Sequence, residues 1–229
     1  MKVKADIEKN RLYLNISGNI SKAELNRLYT DVRFCVADLQ PGFGVISDLS
    51  ECSLAHLSGV SVYKKIMNYV IINGVGEVVR VINGDSLLFK QVMNLSSIIC
   101  GYIPIYVSTL EEAEERLNDS NRRNGLRFHY KNLQPIEYVV NGTKGKGCIL
   151  NISTSGCLVG SPTISPLIDE EILMVIQFDI QDTFQNEFTI KGRVLRKEGD
   201  RFGIKYEDFD DARRKQLWDC LLRQFEYEL

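Results

Sequence analysis

The sequence predicts an α/β domain followed by a small all-β domain, a six-stranded antiparallel barrel with a C-terminal helix, divided near residue 118. Residues 1–118 alternate β-like and helix-like segments, the pattern of a sheet layered with helices. Residues 119–229 hold a series of short period-2 runs punctuated by Gly and Pro, which suits a closed barrel. The chain then finishes on an amphipathic helical stripe.

In the first half, Val3-Lys-Ala-Asp-Ile7 and Leu12-Tyr-Leu14-Asn-Ile16 read as a hairpin. Ser21-Lys-Ala-Glu24 is a capping box, opening a helix whose apolar positions are Leu25, Leu28, Val32, Cys35, Val36 and Leu39. Gly42-Phe-Gly-Val45-Ile46 reads as a buried strand. A second helix opens at Ser58-Gly59 and runs through Tyr63, Ile66 and Val70. Glu77 to Ile82 is a strand, Asp85 to Leu95 a short helix, and Ile103-Pro-Ile105-Tyr-Val107 a last strand. Ser108-Thr-Leu-Glu111 then caps the helix that ends the half at Leu117.

In the second half, Leu126–Tyr130 and Ile136–Val140 read as two strands separated by Pro135. Asn141-Gly142, with Gly145 and Gly147, marks a hairpin tip before Cys148-Ile-Leu150. That glycine-rich stretch lacks the spacing and the following helix of a phosphate-binding loop. Strands follow at Cys157–Val159, Ile172–Phe178, Phe188–Arg196 and Arg201–Tyr206, with Gly199-Asp200 turning the last pair. Asp210 begins the final helix; Leu217, Leu221 and Leu222 form its stripe, with Trp218 and Phe225 beside them.

Composition excludes several functions. Of the 229 residues 44 % are hydrophobic, enough for two ordinary cores. Up to residue 118 there are 12 basic and 13 acidic side chains, and beyond it 16 and 17, so neither half offers the basic face that duplex DNA requires. No apolar run approaches the roughly 18 residues of a membrane helix, and no signal peptide precedes the first domain, so the expected location is cytoplasmic. Six scattered cysteines without a CxxC pair read as reduced thiols. His56 and His129, the only histidines, stand apart from metal-ligand spacings and read as surface or core residues. No paired carboxylates beside a histidine and no nucleophile elbow are present, so the chain is not expected to be an enzyme, nor to need a metal or cofactor.

Two short motifs carry the chemistry: Arg123-Asn-Gly-Leu-Arg127 and, further on, Asn151-Ile-Ser153-Thr-Ser-Gly156. Each is common alone, but their order and position at the head of the β-rich half make the pair specific. Asn124 and Gly125 disfavour helix and set Arg123 and Arg127 on a segment leading into a strand, with Arg122 as a third guanidinium. A guanidinium fork pairs with phosphate or a guanine edge, and its plane stacks on a ring. Asn151 supplies amide donors and an acceptor, Ser153 a hydroxyl, and Gly156 a close backbone approach. Without their surroundings these residues would read as solvated surface and an ordinary turn.

The RxxxR and (D/N)xSxxG pair, with the later Gly192-Arg-Val and Arg201-Phe-Gly-Ile-Lys-Tyr206 run, resembles PilZ domains over about residues 120–229. The resemblance implies cyclic di-GMP (c-di-GMP) as ligand, clamped by Arg122, Arg123, Arg127, Asn151, Ser153 and Gly156, often as an intercalated dimer. The expected role is that of a signalling effector whose first half engages a protein partner. The alternative is a PilZ-like interaction module that needs no nucleotide.

The first half resembles STAS domains, through Val45-Ile-Ser-Asp48-Leu-Ser50, Ser58-Gly59-Val60 and Gly74-Val-Gly-Glu-Val-Val-Arg-Val-Ile82. STAS members switched by phosphorylation carry Asp-Ser where this chain has His56-Leu57, so a kinase switch at that position is not expected. A homodimer through this half is compatible with the sequence. The polar linker, about Asn118–Arg123, ends in the arginines of the ligand arm, so ligand capture is expected to reorient the first half.

Overall fold

A computed structural model describes residues 1–55, 60–82, 101–102, 104–119, 125–178 and 187–225. The expected helix Asp85–Leu95, the His56–Gly59 segment, Cys100, Ile103, Arg122 and Arg123 lie outside the described residues. The chain divides into two compact units, Met1–Leu126 and Arg127–Leu229.

The first unit is built on a five-stranded mixed sheet. Its strands are β1 (Lys2–Asp6), β2 (Arg11–Asn15), β4 (Gly44–Asp48), β6 (Glu77–Val81) and β7 (Ile105–Val107), in the order β1-β2-β4-β6-β7. Only the β1–β2 hairpin is antiparallel. The central strands β4 and β6 are buried almost throughout, which is why they read as continuous apolar runs rather than alternating ones. Two short strands, β3 (Gly18–Ile20) and β5 (Cys52–Ala55), pair in parallel in a separate sheet that the sequence did not reveal. At three and four residues they are too short to display a period.

The helices are α1 (Lys22–Ala37), α2 (Val60–Ile72) and α3 (Leu110–Asn118). The capping box opens α1: Glu24 N–H donates to Ser21 Oγ at 3.2 Å, and Ser21 N–H to the Glu24 carboxylate at 2.9 Å. Helix α1 packs on α2 and on β1. Ala113 and Leu117 of α3 pack against Ile46, Val79 and Val81. Gly44 makes room for this, since a Cβ there would sit 2.8 Å from Leu117 Cδ1. The α/β expectation is met in architecture.

The second unit is a closed antiparallel barrel. Its strands are β8 (Phe128–Val140), β9 (Thr143–Ile152), β10 (Gly156–Gly160), β11 (Glu171–Gln177), β12 (Glu187–Glu198) and β13 (Arg201–Tyr206), in the circular order β10-β13-β12-β11-β8-β9. Ile136, Tyr138, Val140, Ile149, Ile152, Val159, Ile172, Met174, Ile190, Val194, Phe202 and Ile204 are buried in its core. Helix α4 (Asp211–Gln224) is capped by the Asp210 carboxylate, which accepts from Arg213 N–H at 2.7 Å. Its Trp218 and the following Phe225 pack on Phe128 with ring centroids 5.6 and 5.0 Å apart.

Two local expectations need correction. Pro135 does not separate two strands: β8 runs through it, and the register against β9 shifts between His129 and Gln134. The ladder to β11 covers only Glu137–Val140, so Pro135 sits outside that ladder, where a missing N–H is tolerated. Gly145 and Gly147 are not part of the hairpin tip, which is Asn141-Gly142 alone, both with positive φ. They lie inside β9, where added Cβ atoms would come 2.5 Å from the Tyr138 ring and 2.8 Å from Val159.

Candidate functional site

The second motif spans the end of β9, a three-residue turn and the start of β10. Asn151 is the penultimate residue of β9, Ser153 opens the turn, and Gly156 begins β10. The turn is closed by its own hydrogen bonds. Ser153 N–H and Oγ both donate to the Gly156 carbonyl, at 2.9 and 3.1 Å, and Ser155 N–H donates to Ser153 Oγ at 3.3 Å. Tyr206 N–H donates to the Ser155 carbonyl at 3.0 Å, tying the turn to β13. Gly156 has a reason of its own: a Cβ would lie 2.3 Å from the Ile204 carbonyl oxygen of the neighbouring strand. The glycine therefore answers to strand packing whether or not a ligand approaches.

Asn151 differs from the other two. Its side chain is 6 % exposed, and its Oδ1 has no hydrogen-bond partner among the described residues. A buried acceptor left unpaired costs about 1–3 kcal/mol, so this atom suits an N–H donor that the described residues do not supply. Asn151 lies opposite His129 on β8 and Leu158 on β10. The adjacent pair, Phe128 and Ile152, points into the core, so the Asn151 row faces outward.

Arg127 immediately precedes the Phe128–Ile152 pair, at the same end of the β8–β9 ladder as the turn. It is half-buried. Its charge helps hold His129 below the usual histidine range, burial being the larger cause. The same charge reaches two groups at that end of the barrel, where burial nevertheless pushes the Cys157 thiol up to about 12 and the Tyr206 hydroxyl well above its ordinary value. Cys35, Cys148 and Cys157 are thiols.

Four expected site residues thus meet at one end of the barrel: Arg127, Asn151, Ser153 and Gly156. Arg122 and Arg123 fall outside the described residues. The sequence reading set His129 aside, yet the register pairs it with Asn151. The signal was present in the outward phase shared by Arg127 and His129 around buried Phe128. No group of three metal-ligating side chains occurs among the described residues. No described helix is long and apolar enough to cross a membrane.

Comparison with known proteins places this unit. The family model described as PilZ domain matches residues 121–223. No curated protein matches the chain. Among solved structures, the chain is similar to the PilZ domain of CeSA from a cellulose-synthesising bacterium, at 14 % identity and a TM-score of 0.32, over 44 % of this chain and 94 % of that one. It is similar to the PilZ domain of YcgR from Escherichia coli, a structure with c-di-GMP, at 10 % identity and a TM-score of 0.37, over 46 % and 92 %. It is also similar to PlzA from Borreliella burgdorferi in complex with c-di-GMP, at 18 % identity and a TM-score of 0.32, over 52 % and 46 %, so it spans under half of that protein. Residues 121–223 of this chain are a PilZ domain, a fold known as a receptor for c-di-GMP.

Proposed function

We propose that the barrel binds c-di-GMP on its outer face, through Arg122, Arg123, Arg127, Asn151, Ser153 and Gly156, and that the N-terminal unit relays binding to a protein partner. One observation carries the reading: the buried Oδ1 of Asn151, without a partner among the described residues, lies in an outward row beside the Arg127 segment. Guanine offers N–H donors on its Watson–Crick edge for such an acceptor, and its phosphates suit guanidinium forks. Ser153 holds the turn that positions Asn151, its Oγ bonded to the Gly156 carbonyl, to Ser155 N–H and to Ser155 Oγ.

The N-terminal unit is assigned a STAS-like interaction role, and the whole chain the part of a cytosolic effector. The segment around Asn118–Arg123 joins the units and carries two of the arginines. Ligand capture there would shift the population of N-terminal orientations, within the limit of the ligand's differential affinity. Small-angle scattering of the full chain with and without c-di-GMP tests this, and identical profiles would remove the relay.

Titration calorimetry tests the binding itself. Wild-type chain is expected to bind c-di-GMP, and Arg127→Ala to bind about tenfold more weakly or worse with its fold intact. Wild-type affinity in that variant would retire the clamp. A second reading, docking without nucleotide, draws on the turn bonds that Ser153 and Gly156 already complete. Saturating c-di-GMP separates the two: at a hundredfold its Kd a specific ligand stabilises the barrel by about 2.7 kcal/mol, and the docking-only module not at all.

A further inference from the structure

The outward row that contains Asn151 continues across two more strands. Asn151 pairs with Leu158 on β10, Leu158 with Gly203 on β13, and Gly203 with Arg196 on β12. Asn151, Leu158 and Gly203 are flanked by core residues, Ile152, Cys157 and Val159, and Phe202 and Ile204, while Arg196 follows the exposed Leu195. The row therefore lies on the outside of the barrel.

Its far end is set by a bulge. Between Val194 and Arg196 the β12 register shifts, so Leu195 is the extra residue and Arg196 takes the place opposite Gly203. The Arg196 side chain then lies across Gly203, its Cγ and Nε each 3.1 Å from where a Cβ would stand. A side chain at 203 would press on it and shift it by a few tenths of an ångström. Gly203 is thus a gap in the outer surface in which the Arg196 stem lies over β13, the strand next to Leu158. Strands about 4.8 Å apart put Gly203 about 10 Å from Asn151, with the half-buried Leu158 as an apolar floor between them. Among the described residues Arg196 also makes an exposed pair with Glu198, Nη1 to Oε1 at 3.3 Å, which contributes little.

We infer that Leu158, Gly203 and Arg196 form a seat for a guanine base, with the base lying on Leu158 and Arg196 donating to its O6 and N7. The seat rests on the c-di-GMP reading above and assigns it a specificity-determining residue. A flat apolar floor between an amide acceptor and a guanidinium fork fits a purine whose two edges differ: N–H donors toward Asn151, acceptors toward Arg196.

Calorimetry of the full chain with c-di-GMP tests it, using Arg196→Ala, Arg127→Ala and Lys144→Ala. Lys144 is exposed at the opposite end of the β8–β9 ladder and controls for the loss of one positive charge. Arg196→Ala is expected to weaken binding about tenfold, with Lys144→Ala within twofold of wild type. If Arg196→Ala binds like wild type while Arg127→Ala is weakened, the seat is overturned and the binding site stands. If wild type itself does not bind, both fall. Trp218 emission, from the helix docked on Phe128, confirms in each variant that the barrel is folded.

Discussion

Glu114 in the N-terminal unit and Asn151 in the barrel are both polar side chains set among buried neighbours, and they are treated in opposite ways. Every acceptor of Glu114 is used. Its Oε1 takes the Tyr13 hydroxyl at 2.6 Å, and its Oε2 takes Lys9 at 3.4 Å and the guanidinium of Arg11. Arg11, only 4 % exposed, also donates to Asn118 at 2.7 Å. Asn151 Oδ1 has no partner among the described residues. A carboxylate with both oxygens bonded ties α3 to the sheet, although Arg11 Nε beside it has no partner among the described residues, whereas Asn151 leaves an acceptor open. The contrast separates polar groups that serve the fold from those suited to a ligand.

Removing the closed group should have the largest effect. Glu114→Ala strands a buried Arg11 guanidinium and a Tyr13 hydroxyl together. Because Glu114 is itself partly exposed, the expected loss is about 2 kcal/mol rather than the larger penalty of a fully buried pair. Urea unfolding followed by far-ultraviolet dichroism would show it, and a midpoint within error of wild type would mean that the network contributes nothing. Trp218, the chain's only tryptophan, sits on the helix that packs on Phe128 of the barrel and should report an unchanged transition there.

Removing the open group should do the reverse. Asn151→Leu replaces an unpaired acceptor with apolar volume next to Leu158, so the barrel should keep its stability or gain up to about 1 kcal/mol. The same change should weaken c-di-GMP about tenfold. A clear loss of barrel stability, read from Trp218 emission in urea, would show that Asn151 belongs with Glu114 as a structural group.

Both units were legible in outline because their signals are local. The capping box at Ser21, the Asn141-Gly142 turn and the Asp210 cap each depend on a few neighbouring residues, and each forms. The motif pair could be read as well, since Asn151, Ser153 and Gly156 lie within one turn. What the sequence hid was register. The Asn141-Gly142 tip sets Tyr138 opposite Gly145, but nothing near Gly203 announces Arg196. The parallel pairing of Gly18–Ile20 with Cys52–Ala55 likewise joins segments too short to carry a period. Gly156 was legible as a glycine, but its reason, the Ile204 carbonyl, belongs to a strand almost fifty residues away.

The smallest expected effect is a difference in acid sensitivity between the units. His129, beside Asn151, has its pKa lowered by burial and by Arg127. A depressed histidine favours the neutral form in the folded state, so the unfolded chain binds the proton first. Its contribution to barrel stability is present above about pH 6.5, the unfolded value, and is lost as pH falls through the lower folded value. Glu114 is also lowered: burial raises it, but the Tyr13 hydrogen bond and the charges of Arg11 and Lys9 together outweigh that. Its contribution persists above the unfolded carboxylate value, about 4.3, and is lost only below it. Between pH 7.5 and 5.5 the Trp218 transition in urea should therefore weaken while Glu114 still holds the N-terminal unit. His129→Gln should flatten that slope, and an unchanged slope in the variant would detach His129 from the acid response. Bound c-di-GMP should oppose it, because phosphate charge near His129 raises its pKa and lets the folded barrel take up the proton.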